Sequence, residues 1–95
     1  MLCITLMKAK PNSSMLQRIQ RRLDWHYPEG MKALGEYWLT TSDPAVVIIS
    51  EVDDAGIIRQ AMAHWDDLFE YSVFPAVTAE QGLAQARREL ATARA

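Results

Sequence analysis

Alternating apolar residues along the chain predict four β-strands. Residues 2–8 and 45–52 are apolar on both faces, which is typical of strands in the interior of a sheet. Residues 31–40 alternate between two faces and predict a further strand. In the last strand, at residues 69–77, Pro75 has no amide to donate to a neighbour, so we expect an edge strand or a bulge there.

Apolar residues at helical spacing predict three helices, at residues 15–24, at 55–67 and from 79 to near the C-terminus. The turn at residues 11–14 ends in two serines, and a serine hydroxyl can accept a hydrogen bond from an unpaired amide of the first helical turn. Thr78 and Gln81 have the spacing of a capping box for the last helix. These caps predict where the helices begin.

The first predicted helix has an apolar stripe formed by Leu16, Ile19 and Leu23, which are three and four residues apart. Its other positions are mostly polar: Gln17, Arg18, Gln20, Arg21 and Arg22. We therefore expect the leucine stripe to pack on the sheet and the arginines to face water as a solvated helix surface.

The predicted order of elements is strand-helix-strand twice, followed by a helix. Two such units with right-handed crossovers build a ferredoxin-like βαββαβ antiparallel sheet with two helices on one face. The opposite face stays apolar, and the last helix offers only Leu83, Ala86 and Leu90 to cover it. A second copy of the sheet is the simplest cover, so we expect an α+β fold that forms a dimeric α+β barrel, as a homodimer or a multiple of dimers.

Composition narrows the class of protein. The 95 residues make a single domain, residues 1–95, and 49% hydrophobic residues exclude a disordered chain. A net charge of −2 does not produce the positive electrostatic potential that attracts nucleic acid or an anionic membrane, so neither is expected as a partner. The single Cys3 excludes a disulfide framework, and neither a signal peptide nor a membrane-spanning run is recognisable, so we expect a cytoplasmic protein.

Four short segments resemble a family of short domains of unknown function within the dimeric α+β barrel superfamily: DWHYPEG at residues 24–30, EVDD at 51–54, HWDDL at 64–68 and PAV at 75–77. The resemblance covers nearly the whole chain and implies two ferredoxin-like subunits packed sheet against sheet. The superfamily includes cofactor-independent monooxygenases, a lactone isomerase, dehydratases and stress-response domains. The resemblance therefore does not identify a reaction, and it assigns no catalytic residue to this chain.

Aromatic residues and one carboxylate are the candidate ligand-binding residues. Aromatic rings provide flat apolar surface with a polar tip, and an imidazole adds a donor or an acceptor. We expect a pocket between the uncovered face of the sheet and the elements at its mouth, lined by Trp25, His26, Tyr37, Trp38 and Glu51. Metal-ligand spacings and glycine-rich phosphate loops do not occur in the sequence, so no metal and no cofactor are expected.

Two glutamates lie on neighbouring predicted strands. Glu51 ends a very apolar strand and is the better candidate for partial burial, where a raised pKa would suit a proton-transfer base. Glu36 is interpreted as a rim residue in water. His26 and His64 could act as a general acid or base, but no nucleophile neighbours either one in the sequence, which favours a structural role.

The sequence is compatible with two different functions. The first is a small dimeric barrel that binds a small apolar or aromatic molecule, or acts on it as a cofactor-independent enzyme whose catalytic residues are unknown. The second is a non-catalytic assembly or regulatory module whose barrel is filled by its own side chains. Bulky residues such as Leu34, Trp38, Ile48 and Phe74 on the face opposite the helices would favour the second.

Overall fold

Seven elements follow one another in the computed structural model, which describes residues 1–94. They are β1 (Leu2–Ala9), α1 (Met15–Asp24), β2 (Met31–Trp38), β3 (Val46–Val52), α2 (Ala55–Ala63), β4 (Phe69–Pro75) and α3 (Ala79–Arg94). The predicted order and the predicted start of each helix are confirmed. The second helix ends earlier than predicted, because residues 64–68 turn toward β4 instead of continuing it.

Side-chain caps fix the helix starts. The Ser14 hydroxyl accepts a hydrogen bond from the Gln17 amide at 3.2 Å, and the Gln17 side chain accepts one from the Ser14 amide at 2.8 Å. Thr78 and Gln81 form the same reciprocal pair at the start of α3, with distances of 3.1 and 3.0 Å. Each pair satisfies two amides that would otherwise lack a partner. The predicted caps of these two helices are therefore confirmed.

The four strands form one antiparallel sheet in the order β2-β3-β1-β4. Together with the helices, this order is the predicted ferredoxin-like α+β fold. β1 and β3 are interior strands, in agreement with their apolar character on both faces. β4, which contains Pro75, is an edge strand, as its sequence predicts.

The core lies between α2, the turn that follows it and one face of the sheet. Along β1, Cys3, Thr5 and Met7 are buried, whereas the residues between them are partly exposed. Ile48 of β3 pairs with Thr5 and joins the same face. The buried apolar residues are Cys3, Met7, Met31, Ala45, Ile48, Val52, Ile58, Ala61, Met62, Trp65, Leu68 and Phe69.

The other side of the sheet is apolar and incompletely shielded. Ile4 of β1 pairs with Ile49 of β3 on one side and with Phe74 of β4 on the other, and Leu6 pairs with Val47. Phe74 is 50% exposed, and the other four are partly exposed. These five residues form what we call the open face, which is the uncovered apolar surface that the sequence predicts.

Of the predicted apolar stripe of α1, only Ile19 is partly buried. Leu16 and Leu23 are 78% and 76% exposed, and α1 buries none of its residues. Its arginines face the protein instead, since Arg21 and Arg22 each form an ion pair with a carboxylate of another element. The prediction of a buried stripe is therefore wrong for Leu16 and Leu23, and charged contacts with sequence-distant residues accompany this orientation of the helix.

The last helix, α3, extends away from the rest of the chain. It buries none of its residues, and Leu83 and Leu90 are 57% and 53% exposed. The radius of gyration is 16.6 Å, whereas a compact chain of this length has about 12 Å. α3 therefore leaves its apolar stripe largely uncovered by its own chain. In the part of the chain that the structure describes, no helix combines the length and hydropathy that crossing a membrane needs.

Candidate functional site

A cleft, which we call the tryptophan cleft, lies between α1 and the helix-facing side of the sheet. All three tryptophans of the chain, Trp25, Trp38 and Trp65, line it. The other lining residues are Met7, Met15, Arg18, Ile19, Arg22, Glu36, Leu39, Ala45, Val46, Ile48, Met62 and Phe69. Its open space is about 50 Å³, which is room for a few water molecules. Within residues 1–94, no three histidine, cysteine, aspartate or glutamate side chains are grouped to hold a metal ion.

Contacts between aromatic rings build one wall of the tryptophan cleft. The ring centroids of Trp25 and Trp65 are 5.7 Å apart in an edge-on arrangement, and those of Trp65 and Phe69 are 5.8 Å apart. Trp25 also meets Tyr27 edge-on at 4.8 Å. The guanidinium of Arg21 lies 5.9 Å from the centre of the Trp65 ring. Because aromatic pairs and cation–π contacts of this geometry are favourable, they stabilise this wall of the cleft.

Glu36 of β2 accepts hydrogen bonds from three side chains at the tryptophan cleft. Arg22 donates from Nε to both carboxylate oxygens at 3.1 and 3.0 Å, and from Nη2 to Oε1 at 3.0 Å. Trp38 Nε1 donates to Oε2 at 2.8 Å, and the Tyr27 hydroxyl donates to Oε1. Only 18% of the Glu36 side chain is exposed. This carboxylate therefore ties α1 and the loop after it to β2.

These contacts keep Glu36 ionised. Burial disfavours its charged form, but the hydrogen bonds from Arg22, Tyr27 and Trp38 outweigh burial, so the pKa of Glu36 lies below its ordinary value. Burial, together with the hydrogen bond to Glu36, raises the pKa of Tyr27 well above that of a free tyrosine. At neutral pH the cleft thus holds a carboxylate that is engaged by three side chains, and the Tyr27 phenol beside the cleft already donates its proton to it. This arrangement suits binding better than proton transfer, which needs a group free to reach the substrate.

A β-bulge in β2 determines which way Glu36 points. Pairing with β3 is irregular between Ala33 and Gly35, and Glu36 then lies opposite the buried Ile48 on the helix-facing side. A Cβ at Gly35 would lie 2.7 Å from the Tyr37 ring, so a side chain there would displace this exposed ring. The bulge therefore sets the register in which Glu36 points into the tryptophan cleft.

The structure brings together two of the five predicted ligand-binding residues. Trp25 and Trp38 both line the tryptophan cleft. Tyr37 lies on the opposite side of the sheet and is 55% exposed. His26 is exposed in the loop after α1, and Glu51 lies near the end of β3, 3.7 Å from the N-terminal amine. The cleft is on the helix-facing side of the sheet, and not on the uncovered side where the sequence predicts a pocket.

Three residues of the site are not found by sequence reasoning. Interpreting Glu36 as a rim residue and Glu51 as the more buried glutamate is wrong, since their side chains are 18% and 52% exposed. The prediction that Arg22 is solvated is wrong as well, and Tyr27 is not singled out at all. A signal for Glu36 exists, because Glu36 and Trp38 are two residues apart in a strand and so share a face.

A Glu36→Gln variant is expected to be less stable by about 2 kcal/mol at neutral pH, because Arg22 and Tyr27 lose the charge that accepts their hydrogen bonds. The pKa of Glu36 is lower in the folded than in the unfolded chain, so its contribution is present above the ordinary glutamate pKa. That contribution is lost as the pH falls through the folded-state pKa, and the difference between wild type and variant should shrink in acid. Denaturant unfolding across pH measures it, with Glu29→Gln in an exposed loop as the control. A difference that stays constant from neutral pH to about pH 2 would contradict this role.

Comparison with known proteins supports the family resemblance. A family model described as Domain of unknown function (DUF3303) matches residues 1–90. No curated protein and no solved structure gives a significant match. The matched region contains every residue of the tryptophan cleft, from Met7 to Phe69.

Proposed function

We propose a ligand-binding function for this chain, which belongs to the family described as Domain of unknown function (DUF3303). That description names no activity, so the proposal rests on the tryptophan cleft. The chain binds a small, flat, apolar molecule there, beneath α1. The observation that carries the proposal is the convergence of all three tryptophans on one cleft. Aromatic rings offer flat apolar surface, and the methionines beside them have flexible thioethers that adapt to ligands of different outline. A mostly apolar lining with a few placed polar groups is typical of small-molecule sites. The methionines are Met7, Met15 and Met62.

Binding requires α1 to move. An open space of about 50 Å³ is smaller than the cavity of about 150 Å³ that holds benzene in an engineered protein. α1 buries no residue, and ion pairs of Arg21 and Arg22 hold it to the protein. Elements with little buried apolar surface open at low free-energy cost. α1 is therefore the element that we expect to lift away from the sheet when a ligand enters.

Titration with N-phenyl-naphthylamine, a neutral aromatic probe that fluoresces in apolar surroundings, tests the proposal. We expect one probe per chain and energy transfer from tryptophan, because every tryptophan of the chain lines the cleft. Val46→Phe fills the cleft from the sheet side and should weaken binding about tenfold.

The matched control is Val47→Phe, since Val47 belongs to the open face and its variant should bind the probe like wild type. Binding that Val46→Phe leaves unchanged, or that only Val47→Phe weakens, would place the probe outside the tryptophan cleft and contradict the proposal.

We also propose that a second copy of the chain covers the open face, so that assembly into a homodimer is the second candidate function. The chain exposes 6739 Å², whereas a compact monomer of its mass exposes about 5,500 Å². The excess of about 1,200 Å² exceeds the roughly 800 Å² that each partner buries in a standard stable interface. Apolar side chains on the open face and on α3 contribute to this exposed surface: Ile4, Leu6, Val47, Ile49, Phe74, Leu83 and Leu90.

A further inference from the structure

The three arginines of α1 differ in their partners. Arg21 donates two hydrogen bonds to a carboxylate that follows α2, and Arg22 donates three to the carboxylate of Glu36. Arg18, one turn earlier, also lines the tryptophan cleft. Within residues 1–94, however, Arg18 forms no ion pair. It is thus the cationic side chain of the cleft that has no acidic partner in the described chain.

Two contacts position the Arg18 side chain at the cleft. Its Nε donates a hydrogen bond to the Ser14 carbonyl at 3.3 Å, and its guanidinium lies 5.7 Å from the centre of the Phe69 ring. Stacking of this kind holds the plane of a guanidinium while leaving its edge open. Among the described residues, its terminal groups Nη1 and Nη2 have no hydrogen-bond partner. The partly buried Arg18 side chain is therefore held in place while both of its terminal amino groups are unpaired within the described part of the chain.

The charge of the cleft favours an anion. Two guanidiniums and one carboxylate line it, which leaves one net positive charge: Arg18 and Arg22 against Glu36. The first turn of α1 contains no acidic residue, so the positive end of the helix dipole adds to the same field. A charge that is partly withdrawn from water is costly unless an opposite charge pairs with it.

We infer that the ligand of the tryptophan cleft carries one carboxylate, which pairs with Arg18 while its flat apolar body lies among the tryptophans. The inference rests on the proposed function and names the class of ligand for the same cleft, the aromatic or aliphatic monocarboxylic acids. A carboxylate fits the two unused amino groups of a guanidinium as a bidentate partner. Arg22 cannot serve in this way, because Glu36 already occupies it.

Two probes with the same ring system test the inference: anilinonaphthalene sulfonate, which is an anion, and the neutral N-phenyl-naphthylamine. Wild type should bind the anion about tenfold more tightly, and Arg18→Gln should remove this preference by weakening the anion alone. Arg18→Lys keeps the charge and should retain part of the preference. Arg59→Gln, on the exposed side of α2 and outside the cleft, is the control for loss of one positive charge.

Competition extends the test from a sulfonate to a carboxylate. Naphthalene carboxylate should displace the probe more effectively than naphthalene methanol, its neutral analogue, and circular dichroism should show an intact fold for Arg18→Gln. Equal affinity of wild type for both probes, or an equal loss for both in Arg18→Gln, would overturn the inference and leave the proposed function standing. If Val46→Phe affects neither probe, the proposed function fails, and the inference fails with it.

Discussion

An Ile49→Lys variant is expected to be a folded monomer, whereas an Ile48→Lys variant is expected not to fold. The two residues are adjacent in β3 and point to opposite sides of the sheet. Ile48 is 3% exposed in the core, where an unpaired ammonium group costs several kcal/mol, a large part of the stability of a small domain. Ile49 is partly exposed on the open face, where the lysine can reach water in a single chain. A second copy packed on that face would bury the same charge.

Sedimentation velocity and circular dichroism measure the two outcomes. Wild type should sediment as a dimer or a multiple of dimers at micromolar concentration, and Ile49→Lys should have half the mass or less with unchanged helix content. Gln60→Lys, at an exposed position of α2, adds the same charge elsewhere and should behave like wild type. A wild-type chain that is monomeric and folded at this concentration would refute the proposed dimer, as would an Ile49→Lys variant of wild-type mass.

The elements of this fold could be predicted because their signals are local. The short apolar runs of β1 and β3 and the capping pair of Ser14 and Gln17 each involve residues a few positions apart. The sheet order then follows from right-handed connections between successive strands. Local pattern and final structure agree for these elements, which is why the predicted order and helix starts are confirmed.

The orientation of α1 could not be predicted from its own sequence. Its pattern of leucines and arginines indicates a buried apolar face, yet Leu16 and Leu23 are exposed. The contacts that turn the helix join Arg21 to Asp67 and Arg22 to Glu36, across 46 and 14 residues of chain. Such pairs are visible only after the sheet has brought the partners together, so helical periodicity alone gives the wrong face.

The sequence predicts that aromatic residues line the candidate site, but it does not predict on which side of the sheet the site lies. Trp25 and Trp38 are both predicted, because aromatic side chains offer flat apolar surface with a polar tip to a ligand. Strands that are apolar on both faces do not reveal which face meets the helices. In β2, the irregular pairing between Ala33 and Gly35 adds a local shift that strand alternation does not predict. Tyr37 and Trp38 are adjacent in β2, so strand alternation by itself places them on opposite sides of the sheet and only one of them can line the cleft.

A Trp65→Ala variant is expected to lose about 3–5 kcal/mol of unfolding free energy. Trp65 is 5% exposed and lies between the rings of Trp25 and Phe69. Truncation to alanine removes the ring that both neighbours contact and leaves a cavity that the surrounding backbone cannot fully close. It also removes the surface over which the Arg21 guanidinium lies.

Trp38→Ala separates this structural effect from ligand binding, because Trp38 lines the same cleft but is 55% exposed. It should lose about 1 kcal/mol, the contribution of its hydrogen bond to Glu36, while weakening the binding of the neutral probe more than it weakens the fold. Denaturant unfolding of both variants must be compared at one protein concentration, since dissociation of a dimer contributes to the measured free energy. If Trp38→Ala were as destabilising as Trp65→Ala, the exposed tryptophan would be part of the core. Its place in the tryptophan cleft would then reflect packing and not recognition of a ligand.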